Sequence, residues 1–254
     1  MSSEQLLAHR RASIVECLPN DLTFLDEYQQ NAWEVIVWDN SSQTTIQGLL
    51  PEAYMLRGLE EEITEITGPD RDEPGYRRIG ALIMASDNEM LQPSEVTASA
   101  VKRHIKEFGD VSWYLANYLN LFYIPFRRTV PVGKLAWQLD TESQTRATEV
   151  EALEIQSHLP WMGLLGSSHL LLSAAKGMVR TVDSNIVRRK PRDERITDEQ
   201  RLLVASGKFV VSMIHVLSTR FDTTYEQVLQ DNRAKLEKRI REVSIFDKTG
   251  GDDR

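Results

Sequence analysis

The stretch Val101–Phe122, VKRHIKEFGDVSWYLANYLNLF, decides the fold. Its seam runs Val101, Ile105, Phe108, Ser112, Leu115, Leu119 and Phe122, steps of three and four residues that keep one face of an α-helix against a core. Outward from it the same period recurs. Short apolar alternation bounded by Gly or Asn turn pairs is almost absent, so the chain is expected to be all-α. This third helix is opened by Pro93-Ser94-Glu95 and stops before Pro125. A first helix is expected to be capped by Thr23 with Asp26 and to run through Glu27–Asp39, ending at SSQTT. A second spans Tyr54–Thr67 and is stopped by Gly68-Pro69. Further helices are expected at 149–158, 161–180 and 198–219, with 125–148 poor in pattern and RRKPRDER (188–195) an exposed loop. The last helix opens with a Thr223/Glu226 capping box and reaches Val243, before a polar tail at 247–254.

The 254 residues are 41% hydrophobic and 27% charged, enough for one large or two small globular units. Two halves, 1–125 and 126–254, packed into one bundle, are the expected organisation. Lys and Arg total 30 against 38 Asp and Glu, a net charge of −8, which disfavours a nucleic-acid backbone as partner. The single cysteine, Cys17, excludes an intrachain disulfide framework and a cysteine zinc cluster, and suits a reducing compartment. MSSEQLLAHRRAS lacks the apolar core of a signal peptide, and the runs 161–179 and 202–217 are broken by polar residues. A cytoplasmic protein without a membrane span is therefore expected.

Two helices carry paired acids. In LRGLEEEITEI Glu62 and Glu65 stand three apart, and in KEFGDVSWYL so do Glu107 and Asp110, so each pair projects from one side of its helix. At about 100° per residue, Glu107, Asp110 and Tyr114 fall on the flank of the Phe108 seam, at the core margin. Four carboxylates gathered there repel one another unless a divalent cation neutralises them. Oxygen ligands favour magnesium or manganese over zinc.

EExxE, ExxD with VSWYL directly after its Asp, and the late DNRAKLEKR together resemble the MazG-like, all-α nucleoside triphosphate pyrophosphohydrolases. The resemblance implies a helical bundle in which Glu62, Glu65, Glu107 and Asp110 bind magnesium. It also implies that Glu61 or one of the ligand acids, Glu62 among them, accepts a proton during hydrolysis of a nucleoside or deoxynucleoside triphosphate to monophosphate and pyrophosphate. Tyr114 matches a tyrosine that often follows the family's ExxD, and Asn232, Lys235 and Arg239 match the Asn, Lys and basic residue near its domain end. The last three also form an i, i+3, i+7 stripe able to address one phosphate. EYQQNAW is similar to the first helix of small MazG-like proteins, which makes Trp33 and Trp38 candidates for a base pocket.

The chain departs from that pattern in spacing: roughly a hundred residues separate the third helix from the DNRAKLEKR helix. Aligning GLEEEITEI (58–66) with GLLGSSHLL (163–171), and KEFGDVSWYLANYL (106–119) with GKFVVSMIHVLSTR (207–220), gives nearly equal offsets. A tandem repeat whose second copy has lost its acids is expected, with Ser167–Leu170 where EITE stood and Val211 where Asp110 stood. The assembly implied is a homodimer, or a pseudo-dimer within one chain.

Other chemistries lack their residues. None of the five histidines forms HExxH or an adjacent His-Asp pair, and neither GxxxxGK[ST] nor GxSxG occurs. Two other function classes stay open on sequence alone: a nucleotide-sensing or regulatory protein that keeps the metal site without turnover, and a structural helical module.

Overall fold

The computed structural model describes residues 17–35, 51–67, 98–144, 159–187 and 192–241. Seven α-helices and no strand occur among the described residues: α1 Thr23–Val35, α2 Pro51–Thr67, α3 Ala98–Leu121, α4 Thr129–Gln144, α5 Leu159–Val187, α6 Arg192–Arg220 and α7 Tyr225–Arg241. The all-α expectation holds. The expected helix at 149–158, the first helix beyond Val35 with its SSQTT stop, Trp38, the third helix's Pro93-Ser94-Glu95 start and the C-terminal tail lie outside the described residues.

Helix ends follow local chemistry, with corrections. The Thr23 amide donates to Asp21 Oδ1 at 2.9 Å, so Asp21 caps α1 in place of the expected Thr23. Asp26 instead meets Arg127 across 3.0 Å. The α2 helix begins at Pro51 rather than Tyr54, because proline fixes φ and lacks only an N–H that a first turn leaves unused. Thr224 Oγ1 accepts the Gln227 amide at 3.1 Å, so Thr224, not Thr223, caps α7. Residues 192–195 are the start of α6, not loop. Between α3 and α5 the pattern-poor segment folds as a 3-10 turn, Phe126–Arg128, followed by α4. Its period is obscured because Leu135 and Leu139 are more than half exposed. Its contact with α6 rests on glycines: a Cβ on Gly133 would lie 2.0 Å from the Gly207 carbonyl oxygen, so only two glycines allow the backbones this close.

One continuous apolar cluster joins the two halves of the chain, with Leu25 and Tyr28 of α1, Leu59 and Ile63 of α2, Phe108, Leu115 and Leu119 of α3, Leu164 and Leu171 of α5, Phe209, Ile214 and Leu217 of α6, and Leu229 of α7. Helices α1 and α2 both pack on α3, while α4 and α5 both pack on α6. Across the halves, Tyr118 of α3 donates to the Ala175 carbonyl at 2.8 Å, and Lys176 of α5 pairs with Glu60 of α2 at 2.7 Å. Thr197–Thr219 of α6 is long and apolar enough to cross a membrane by length and composition, contrary to the sequence expectation, and 67% of its most apolar window is buried inside the protein.

After α3 the chain turns through Tyr123 at φ 57°, and after α6 through Asp222 at φ 47°. The second turn sends α7 back onto the first half, where it packs against α3 and α1 more extensively than against α6. That return brings residues from the end of the chain to the acids of α2 and α3.

Candidate metal centre

Helix α2 buries Met55, Leu59, Ile63 and Ile66, which places Glu62 at the edge of its buried stripe. Helix α3 does the same with Glu107 and Asp110 beside Phe108 and Val111. Carboxylate oxygens of Glu62, Glu107 and Asp110 lie within 4.8 Å of one another, all three side chains half-buried. Two oxygens on opposite sides of a six-coordinate magnesium are at most about 4.2 Å apart, twice a bond of about 2.1 Å, so a small closing movement of the side chains would bring the trio onto one such ion. These three acids could hold a metal ion. Glu65, one turn further along α2, does not join them, although its Oε2 is buried.

Helix α7 completes the arrangement. Asn232 Nδ2 donates to Asp110 Oδ1 at 2.7 Å, and Lys235 Nζ to Oδ2 at 2.6 Å, across 122 and 125 residues of chain. Both carboxylate oxygens of Asp110 thus accept from α7. The Lys235 and Asp110 side chains are only 26% and 20% exposed, so their attraction is screened less than that of a surface pair.

Below this contact Asn232 is itself held. The buried Tyr28 hydroxyl lies 2.8 Å from Asn232 Oδ1 and 3.3 Å from the Gly109 carbonyl. A hydroxyl donating to Oδ1 leaves Nδ2 as the amide's donor, which fixes the direction of the bond to Asp110. Burial pushes the Tyr28 phenol well above its ordinary pKa, with the negative charge of Asp110 acting in the same sense, so it remains a neutral donor. Ser112, one turn below Phe108, shares a 2.9 Å hydrogen bond with Tyr225 and anchors the start of α7.

Two glycines make room. A Cβ on Gly109, inside ExxD, would lie 2.8 Å from Asn232 Cβ, and one on Gly58 would lie 2.0 Å from the Tyr114 ring. Gly58 therefore seats the Tyr114 ring against α2. Burial raises the Tyr114 phenol well above its ordinary pKa; Tyr54, Glu62, Asp110 and Glu61 add to that shift.

Of the residues singled out by sequence, Glu62, Glu107, Asp110, Asn232 and Lys235 converge, with Tyr114 against α2 beside them. Glu61 lies on the outward side of α2, 53% exposed, and pairs with Arg57 at 2.9 Å. Trp33 is 39% exposed near the end of α1, while Tyr28, five residues earlier, is the α1 side chain that reaches the centre. The side chain of Arg239 lies outside the described residues. Sequence reasoning missed Tyr28, Gly58 and Gly109 as supports. The glycines did carry a signal, since glycine inside a helix costs about 1 kcal/mol relative to alanine and marks close approach.

No match emerges. Neither protein-family models, nor curated proteins, nor solved structures match this chain.

Proposed function

We propose that this chain is a magnesium-dependent nucleoside triphosphate pyrophosphohydrolase. The observation that carries the reading is the meeting of three separate motifs at one carboxylate: Glu62 from EExxE lies beside Asp110 of ExxD, and Asn232 and Lys235 from DNRAKLEKR hold both of its oxygens. Helical periodicity alone gives no reason for residues 122 positions apart to converge on the acid that the resemblance assigns to metal binding.

Glu62, Glu107 and Asp110 would hold the ion, with Glu65 entering on a rotamer change from the next turn. A bound magnesium or manganese ion supplies charge neutralisation for the phosphate oxygens. Lys235 supplies a point charge for the departing pyrophosphate, and Asn232 keeps Asp110 oriented. Water attacks the α-phosphorus, the bond to the β-phosphate bridging oxygen breaks, and the water proton passes to a carboxylate, Glu62 or the outward-lying Glu61. Tyr114, neutral and seated on Gly58, borders the space where the sugar would lie, and Trp33 is the aromatic candidate for the base. The negative net charge does not oppose an anionic substrate, because the cation inverts the local field.

The second half fits the role of an acid-free copy. Helices α4, α5 and α6 repeat the packing relations of α1, α2 and α3, and both third helices are followed by a residue of positive φ. Ser167 and Val211, at the positions aligned with Glu62 and Asp110, are buried. Such a copy would supply within one chain the packing that a partner subunit supplies in a homodimer. The test is a screen of canonical and damaged nucleotides with magnesium that resolves pyrophosphate from inorganic phosphate. Pyrophosphate formation that disappears in Glu62→Gln and Asp110→Asn supports the reading; unchanged turnover in both variants overturns the site.

A further inference from the structure

The cation side of the centre is already occupied by the protein's own charge. Lys235 Nζ sits 2.6 Å from Asp110 Oδ2, in a pair largely shielded from water, and carboxylate oxygens of Glu62 and Glu107 lie within 4.8 Å of one of Asp110. Lys235 thus places an ammonium on one member, Asp110, of a trio of acids that would otherwise repel one another. An ammonium at this distance and a divalent cation on the same carboxylate repel each other, and their repulsion is strong where water is scarce. The two contacts with α7 differ in this respect. Asn232 is neutral, locked by Tyr28 and compatible with a metal on the remaining lone pairs of Asp110. Lys235 is charged, carried on a flexible four-carbon stem, and free to swing.

We propose that Lys235 is a resident counter-cation of the acidic centre, which a divalent ion must displace from Asp110 and which is thereby released toward the anionic substrate. This rests on the metal reading of the trio and adds a regulation to it. Before a metal ion arrives the centre is held closed and charge-balanced by Lys235, so divalent ions alone bind weakly. A metal-bound triphosphate binds well, because it brings both the ion that replaces the ammonium at Asp110 and the phosphate oxygens that receive it. Divalent ion and triphosphate are then coupled: each binds more tightly in the presence of the other. Asn232 holds the carboxylate in place during the exchange, so Asp110 keeps its position while its ionic partner changes.

The experiment is Mn2+ binding to the full chain without nucleotide, read by electron paramagnetic resonance and calorimetry, for the parent, Lys235→Met, Lys235→Arg and Glu107→Gln. Removing the ammonium should tighten Mn2+ binding by about tenfold or more, a shift of the size expected for losing one nearby like charge in a partly buried site. Lys235→Arg should stay near the parent, and Glu107→Gln should lose the site. A non-hydrolysable triphosphate analogue should tighten Mn2+ binding in the parent far more than in Lys235→Met. Thermal melting provides a second readout: Lys235→Met should melt below the parent without metal and gain more from added Mn2+. Equal or weaker Mn2+ binding in Lys235→Met, with Glu107→Gln still abolishing it, overturns the exchange and leaves the metal centre standing. Absence of Glu107-dependent Mn2+ binding in both the parent and Lys235→Met overturns the metal reading and the exchange together.

Discussion

The Tyr28 hydroxyl lies 2.8 Å from the side-chain oxygen of Asn232, although the two residues are 204 positions apart. Through that bond the first helix sets which end of the Asn232 amide faces Asp110, and so couples the beginning of the described chain to its last helix. Tyr28→Phe removes the donor and leaves Asn232 Oδ1 buried without it. A loss of about 1–3 kcal/mol in unfolding free energy follows from the unsatisfied group. Urea titration checks this as a lower midpoint with an unchanged slope.

The Gly58–Tyr114 contact predicts a non-additive pair. Gly58→Ala places a methyl where the Tyr114 ring lies, 2.0 Å from Cε1, and overpacking of this kind costs about 1–3 kcal/mol. In a Tyr114→Ala background the same methyl enters vacated space, and most of that cost should vanish. A double-mutant cycle by chemical denaturation measures the coupling, and equal costs in both backgrounds would contradict the packing described.

Much of this arrangement was legible in the sequence, and the remainder was not for identifiable reasons. The seam through Phe108 and Leu115 marks α3 because its apolar residues all serve one core face. Glu107, Asp110 and Tyr114 could be placed at the core margin from the same angular count, while Glu62 was marked only by its spacing from Glu65. Helix α4 was hidden because Leu135 and Leu139 point outward and Gly133 is spent on the approach to Gly207. Tyr28 was invisible as a site residue because its partner stands in α7, and no local spacing encodes a contact across 204 positions. Capping failed by one or two residues at Thr23 and Thr223, where neighbouring Asp21 and Thr224 offered competing oxygens.

His104 predicts a pH dependence unrelated to the metal centre. It is buried against the rings of Phe108 and Phe221, and burial lowers its pKa from 6.5 to about 4. The unfolded chain therefore binds a proton between those values while the folded chain does not. The stability linked to neutral His104 is complete above pH 6.5 and is lost as pH falls toward 4, at up to about 1.4 kcal/mol per pH unit. Replacing the ring with an uncharged residue, His104→Phe, should flatten the pH 5 to pH 7 difference in urea midpoint relative to the parent.

The proposal that the second half is a copy without the metal-binding acids makes a contrasting pair of predictions. Ser167 and Ser168 hydrogen-bond to carbonyls of their own helix, Leu164 at 3.0 Å and Leu165 at 2.7 Å, so alanine at either position should leave the hydrolysis rate nearly unchanged. Lys235→Ala should instead raise KM for the triphosphate by about tenfold, the order of one charge-assisted contact to phosphate. Steady-state kinetics on any substrate found in the nucleotide screen separates the two.

Cation dependence should appear in the fold as well as in turnover. Magnesium, at concentrations high enough to displace Lys235 from Asp110, should raise the melting temperature of the parent modestly, and the gain should be lost in Glu62→Gln and in Asp110→Asn. A magnesium gain of the same size in all three proteins would place the ion elsewhere.

The most direct test of the central claim is turnover in oxygen-18 water with magnesium and a hydrolysed nucleoside triphosphate, with products resolved by mass. Attack at the α-phosphorus puts the label in the monophosphate alone and leaves the pyrophosphate unlabelled, the result expected if Glu62, Glu107 and Asp110 position the ion for pyrophosphate release. Label in inorganic phosphate as first product, with a diphosphate as its companion, would contradict the account.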